Sequence, residues 1–223
     1  MLQSYINRAN YKYNVKLNLK SIINILKDVR NYVFPTNRIT NRFRGINSLD
    51  DLENFIQERS AHVTQTTLYG YIKTRIGSRY ALMFEDEVFS KSINIAKWNI
   101  YAKSLADCTF YTFSYLIDKK NFKKYEAEKI FTSILEKERN SGLKSQIYEE
   151  AVNDFKNRLK LINWNNYHKE KPFSQSAQAL YDWSPIAENL KKLDKEIVIN
   201  SINLKWNLVE NEFKELTKNL KFD

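Results

Sequence analysis

A chain of 223 residues, 43% hydrophobic and 14% aromatic, has ample material for one large core. Four glycines and three prolines are too few for the tight turns of a β-sandwich or for a glycine-rich dinucleotide-binding sheet, so long helices remain. The net charge of +10 is lopsided: residues 1–48 hold Arg8, Lys12, Lys16, Lys20, Lys27, Arg30, Arg38, Arg42 and Arg44 against one acid, Asp28.

Charge confined to one end reads as a contact surface for something anionic rather than as general solubility. Residues 1–16 are polar, basic and rich in Tyr and Asn, an extended or loosely helical arm. The spacing of Leu19, Ile22, Leu26, Val29 and Val33 predicts a helix over Leu17–Val33. Lys16, Lys20, Lys27 and Arg30 gather within about 80° on another face of it, at about 100° per residue. Phe34-Pro35 ends that helix. Thr36–Asn47 is a basic connector carrying Arg38, Arg42 and Arg44.

Ser48 followed by Asp51 is a capping-box-like start. The helix it opens is predicted over Leu49–Ile76, with Leu52, Phe55, Ile56, Val63, Leu68 and Ile72 as apolar positions and Gly77 as the C-terminal cap. Gly70, inside it, marks a kink or a close approach by another backbone. Glu85, Asp86 and Glu87 suit the positive end of a helix predicted over Phe84–Ile117. That helix is apolar on almost every side (Ile95, Trp98, Ile100, Leu105, Phe110, Phe113, Leu116), the pattern of a central core helix.

Two amphipathic helices, Phe122–Arg139 and Ser145–Ile162, are joined by Asn140-Ser141-Gly142 as an antiparallel pair. Asn163–Gln178 reads as loop. Ser184-Pro185 reads as N-cap and first position of a last helix running to about Asn219. Ile186, Leu190, Leu193, Ile197, Leu204 and Leu208 form its stripe, which Asn200 or Ser201 interrupts, against a long coiled coil. The expected fold is therefore all-α: a single-domain multi-helix bundle, core 48–223, preceded by a basic N-terminal arm, 1–47, with one amphipathic helix.

Chemistry-bearing patterns are sparse. One cysteine, Cys108, excludes an intramolecular disulfide and favours a reducing compartment: cytoplasm, or the mitochondrial matrix in a eukaryote. Neither a secretory signal nor a membrane span is expected, since the apolar stretch Ser104–Ile117 is short and contains Asp107. No Gly-x-Ser-x-Gly elbow occurs, and only His62 or His168 could serve as base in a Ser-His-acid triad. Cys108 sits in the most apolar helix and reads as a small hydrophobe. Ser141-Gly-Leu-Lys144 matches Ser-x-x-Lys only within a helix–helix turn. Glu58 and His62 share a face, but a di-iron bundle needs repeated Glu-x-x-His pairs. Tyr69 and Lys73 match the Tyr/Lys pair of short-chain dehydrogenases without its glycine-rich loop. Lys103 and Asp107, one turn apart, are expected to pair. No catalytic residue, metal ligand or cofactor is assigned.

Leu68–Tyr80 is richer. It packs Lys73, Arg75, Arg79 and Tyr80 beside two glycines. Arg and Lys next to Tyr grip phosphate or carboxylate, and Gly77-Ser78 offers backbone N–H groups. The competing reading is a helix end whose basic residues complement the dipole and pair with Glu85–Glu87.

Thr67-Leu-Tyr-Gly-Tyr-Ile-Lys-Thr-Arg-Ile-Gly-Ser-Arg-Tyr80, Met83–Phe89, Ser92–Lys97, Trp183–Ala187 and Asp194–Ile202 together resemble an alphaproteobacterial family of helical proteins without established function. The resemblance covers roughly Leu49–Phe213 and omits the basic arm. It implies a bacterial or mitochondrial-type source. Members sometimes carry an "esterase" label, which implies a hydrolase without naming a residue.

The expected function is a non-enzymatic binding or adaptor protein. Its partner is an anionic macromolecule, either RNA or a ribonucleoprotein, or an acidic protein surface. The anion-binding residues are Lys16, Lys20, Lys27, Arg30, Arg38, Arg42 and Arg44, with Lys73, Arg75, Arg79 and Tyr80. Three alternatives stay open: an esterase-like hydrolase with an unrecognised site, peripheral contact with an anionic membrane, and a subunit of a larger complex with Trp164, Tyr167 and Trp206 as exposed anchors.

Overall fold

The computed structural model describes residues 43, 45–80, 82–120, 122 and 126–220. The predicted helix Leu17–Val33 and the residues Lys16, Lys20, Lys27, Arg30, Arg38, Arg42 and Arg44 lie outside them. Among the described residues there are six α-helices and no strand, so the chain is all-α.

Helix α1, Leu49–Ile76, starts where the sequence places it. Asp51 N–H donates to Ser48 Oγ at 3.1 Å, and the Asp51 carboxylate accepts the Asn47 N–H at 3.0 Å. Two N–H groups at the helix start are thereby satisfied. Gly77 ends the helix at φ 68°, donating its N–H to the Lys73 carbonyl. A left-handed φ costs glycine nothing, which is why the helix stops there. All six predicted apolar positions are fully buried. Gly70 is a correction: it is exposed, and a Cβ built on it would meet nothing within 4 Å.

Helix α2, Glu87–Lys120, is the central helix the sequence predicts. Its start is three residues later than expected, because Leu82–Glu85 forms a 3₁₀ turn and Asp86 caps α2 by accepting the Phe89 N–H at 2.9 Å. Trp98, Ile100, Tyr101, Leu105, Cys108, Phe110, Tyr111, Phe113 and Leu116 are all buried. Small side chains let α1 approach it closely: Thr64 donates to Ser104 Oγ at 3.1 Å and Ser60 to the Ser104 carbonyl at 3.4 Å.

Helices α3, Glu126–Arg139, and α4, Ser145–Leu159, form the expected pair across Gly142, at φ 102°. The Phe131 and Phe155 rings stack at 4.0 Å, and Phe155 and Phe110 at 4.4 Å, so three parallel rings fasten α3 and α4 onto α2. Buried Glu138 accepts from Gln57 Nε2 at 2.6 Å and lies 3.3 Å from the Tyr101 hydroxyl, tying α3 to α1 and α2.

The C-terminal third departs from the sequence reading. Helix α5, Ser174–Trp183, occupies part of the predicted loop Asn163–Gln178. Helix α6, Glu188–Leu216, starts after Ser184-Pro185, not at it. The Ser184 hydroxyl turns back to the Leu180 carbonyl at 2.5 Å and closes α5 instead of opening α6. Buried Lys191 completes that end by donating to the Asp182 carbonyl at 2.9 Å.

The face of α6 is the largest correction. Its buried positions are Lys191, Asp194, Val198, Ile202, Trp206, Val209 and Phe213. The predicted stripe points the other way, with Leu193 78% and Ile197 68% exposed. Trp206, expected as an exposed anchor, is fully buried and stacked on Phe173 at 4.2 Å. Trp164 and Tyr167 are half-buried against Phe110.

Candidate anion-binding end and the neighbouring groove

Lys73, Arg75, Arg79 and Tyr80 sit at the C-terminal end of α1 and in the 3₁₀ turn Gly77–Arg79 that follows it. The turn is held by rings: Phe84 packs on Tyr69 at 6.0 Å, on Tyr80 at 6.5 Å and on Phe89 at 6.4 Å. Tyr80 thus meets Phe84 edge-to-face, and its ring lies 5.5 Å from the Lys73 ammonium, a cation–π distance.

The expected pairing with Glu85–Glu87 is not what the described residues form. Glu87 pairs with Lys91 one turn on, and Asp86 caps α2. Lys73 and Arg79 are exposed and have no ion-pair partner among the described residues. Arg75 differs. Its guanidinium pairs with Asp194 of α6, whose carboxylate also accepts from the Tyr71 hydroxyl at 2.9 Å. Desolvation raises the Tyr71 phenol above its ordinary value, with the Arg75 charge opposing. The structure therefore brings Lys73, Arg79 and Tyr80 together at one end of the bundle and commits Arg75 to holding α1 against α6.

Beside the Arg75–Asp194 pair runs a groove of about 300 Å³ between α1 and α6. Thr66, Gly70 and Thr74 line one wall, Ile197, Ser201 and Lys205 the other. A second cleft, of about 490 Å³, is lined by Lys171, Pro172 and Gln178 at the start of α5 and by Ile199, Asn203 and Asn207 of α6, with the stacked Phe173 and Trp206 rings also on its wall.

The fold also assembles a Ser-His-Asp trio that the sequence does not reveal. Ser114 Oγ lies 2.9 Å from His168 Nδ1, and His168 Nε2 lies 3.4 Å from Asp118. Its proton geometry is the reverse of a nucleophile's. The Ser114 hydroxyl donates to the Trp164 carbonyl at 2.6 Å and accepts the His168 backbone N–H at 3.0 Å. With its one proton spent on the carbonyl, Ser114 meets His168 Nδ1 as acceptor, whereas a base must accept from serine. Ser114 is also fully buried. Ser114, through the Trp164 carbonyl and the His168 N–H, clips the Trp164–His168 loop onto α2.

The other candidates resolve in the same direction. Cys108 is fully buried and its thiol is pushed up to about 12, chiefly by desolvation. The expected Lys103–Asp107 pair is corrected: Lys103 pairs with Asp154 at 2.9 Å, and Asp107 with Arg158. Among the described residues, no group of three or more His, Cys, Asp or Glu is placed to hold a metal ion. No helix of the described residues is long and apolar enough to cross a membrane.

Searches of protein-family profiles, of curated proteins and of solved structures return no match to this chain.

Proposed function

We propose that the chain is a non-enzymatic binding or adaptor protein whose basic residues contact an anionic macromolecule, with RNA as the favoured class. The observation that carries this reading is the placement of charge. Nine Lys and Arg precede the bundle against Asp28 alone, while the remaining residues are nearly balanced. Within the bundle, most of the closely approached basic side chains are committed to acids or carbonyls, such as Arg59 to Glu212, Arg158 to Asp107 and Lys191 to Asp182. Lys73 and Arg79 stand apart from these pairs, beside Tyr80, whose ring is a stacking surface of the kind that single-stranded RNA uses.

Titrating labelled single-stranded RNA with the full chain tests this reading. Saturable binding that excess polyglutamate does not displace supports RNA. Displacement by polyglutamate at equal charge points to an acidic protein partner instead. No binding to either polyanion rejects the proposal.

A further inference from the structure

Helix α6 has two apolar faces, and only one of them is used inside the bundle. The outer face carries Leu190, Leu193, Ile197, Leu204 and Leu208, exposed by 38, 78, 68, 65 and 64%. At about 100° per residue these five fall within a sector of about 60°. Large aliphatics gathered on one stripe of one helix mark a docking surface rather than scattered surface residues.

We infer that this stripe is a self-association face, on which a second copy of the chain lays the same helix antiparallel. Register is the first argument. The stripe is nearly symmetric about residue 199: Leu190 is balanced by Leu208 and Ile197 by Ser201, while Leu193 and Leu204 are offset by one residue, the exact mirror of Leu193 being Lys205. A two-fold axis at that point sets Leu190 of one copy on Leu208 of the other, the self-complementarity that an isologous interface requires.

Charge is the second argument. The chain carries +10, so two copies repel over most of their surface. The strip from Leu190 to Leu208 adds Asn200, Ser201 and Asn207 to its aliphatics; the charges bordering it are Lys205, at the groove edge, and Asp194, which is buried and paired with Arg75. Room is the third. At the centre the stripe borders the α1–α6 groove, where Gly70 leaves open space beside Ile197 and Ser201. Ile197 of the second copy has somewhere to go.

Area sets the strength. From Leu190 to Leu208 the stripe is about 27 Å long, at 1.5 Å per residue, on a helix about 10 Å wide. That is less than the roughly 800 Å² per partner of a standard stable interface, so the pairing depends on concentration. This inference is independent of the anion-binding reading.

Sedimentation velocity of the full chain over a rising concentration series tests it, alongside Leu193→Glu with Leu204→Glu. A second readout uses cysteine pairing, with buried Cys108 out of reach. Leu190→Cys is mixed with Leu208→Cys under mild oxidation and compared with Leu190→Cys alone. The wild type should shift from monomer to dimer, and the double variant should remain monomeric with unchanged helical content. The mixed cysteines should cross-link, while Leu190→Cys alone, whose copies lie about 27 Å apart along the helix axis, should not. A wild type monomeric throughout, a dimer untouched by the double variant, or Leu190→Cys pairing with itself in preference overturns the inference. So does a monomer whose stripe cysteines are shielded by residues 17–33 of the same chain.

Discussion

Arg158 Nη2 lies 2.5 Å from the Asp107 carboxylate, which is wholly buried in the centre of the bundle. The other carboxylate oxygen accepts the Ser176 N–H at 2.7 Å, in the first turn of α5. Ser176 Oγ in turn accepts from Trp206 Nε1 at 3.0 Å. The Tyr167 hydroxyl donates to the Pro172 carbonyl at 2.6 Å and accepts from Arg158 Nη2 at 3.0 Å. One side chain of α2 thus fixes α4, α5 and the loop between them. Burial raises the Asp107 carboxyl above its ordinary value, and the Arg158 charge opposes that shift.

Removing Asp107 leaves the Arg158 guanidinium largely buried and uncompensated. Asp107→Ala is therefore expected to lower stability by about 3–5 kcal/mol in urea denaturation. Replacing both partners, Asp107→Leu with Arg158→Met, should cost less than Asp107→Ala alone, because neither charge remains inside. A loss of only about 0–1 kcal/mol for Asp107→Ala, the value of an exposed pair, contradicts this assignment.

Ser114 is a clip and not a nucleophile. An active-site serine probe such as a fluorophosphonate should leave Ser114 unmodified in the folded chain. Ser114→Ala should instead lower stability by about 1–3 kcal/mol, since it leaves the Trp164 carbonyl and the His168 N–H short of a partner. Stoichiometric labelling of Ser114 sinks the structural reading.

His168 gives the fold a pH dependence of known sign. Burial lowers its pKa from the ordinary 6.5, with Asp118 opposing and Lys169, Lys119 and Lys214 adding to the shift. The folded state favours the neutral ring. Its contribution is therefore complete above the ordinary histidine value and is lost as pH falls below it. Stability measured by urea denaturation should drop between about pH 7 and about pH 5, and drop less in His168→Gln. Equal pH profiles for the two chains contradict the assignment.

The two faces of α6 separate energetically. Trp206→Ala removes a fully buried ring and is expected to cost about 3–5 kcal/mol. Leu204→Glu, two residues away on the outer face, is expected to change monomer stability by no more than about 0.5 kcal/mol. Thermal or urea unfolding of dilute protein checks both. The opposite ranking means that the helix is turned the other way.

Much of this architecture was legible in the sequence because local signals agreed. Ser48, Asp51 and Gly77 fix both ends of α1, and Gly142 fixes the α3–α4 turn. The all-round apolar pattern of α2 marks the centre. Where the reading failed, tertiary contacts outvoted local ones. Ser184 has the residue type of an N-cap, yet its hydroxyl reaches back to Leu180. On α6 the five aliphatics of the outer stripe are matched by Val198, Ile202, Val209, Phe213 and Leu216 in an inner sector of about the same width, so the apolar pattern alone does not choose the face. The inner face wins because Trp206 has Phe173 to stack on and Asp194 has Arg75 to pair with. Both partners are distant in sequence. The Ser114–His168 and Asp107–Arg158 contacts join residues 54 and 51 apart, beyond any spacing rule. Of the candidate anion-binding residues, the described bundle brings Lys73, Arg79 and Tyr80 together and engages Arg75 with Asp194.

Recognition of a polyanion by these basic residues is tested most directly by the salt dependence of RNA binding. Affinity of the full chain for labelled single-stranded RNA should fall linearly, on logarithmic axes, between about 50 and about 200 mM salt, with a slope of about −0.7 per phosphate neutralised. Reversing Lys73 and Arg79 to Glu should flatten that slope by about 1.4, and reversing Arg38, Arg42 and Arg44 by about 2.1. A salt-independent affinity, or a slope that neither set of reversals changes, contradicts it.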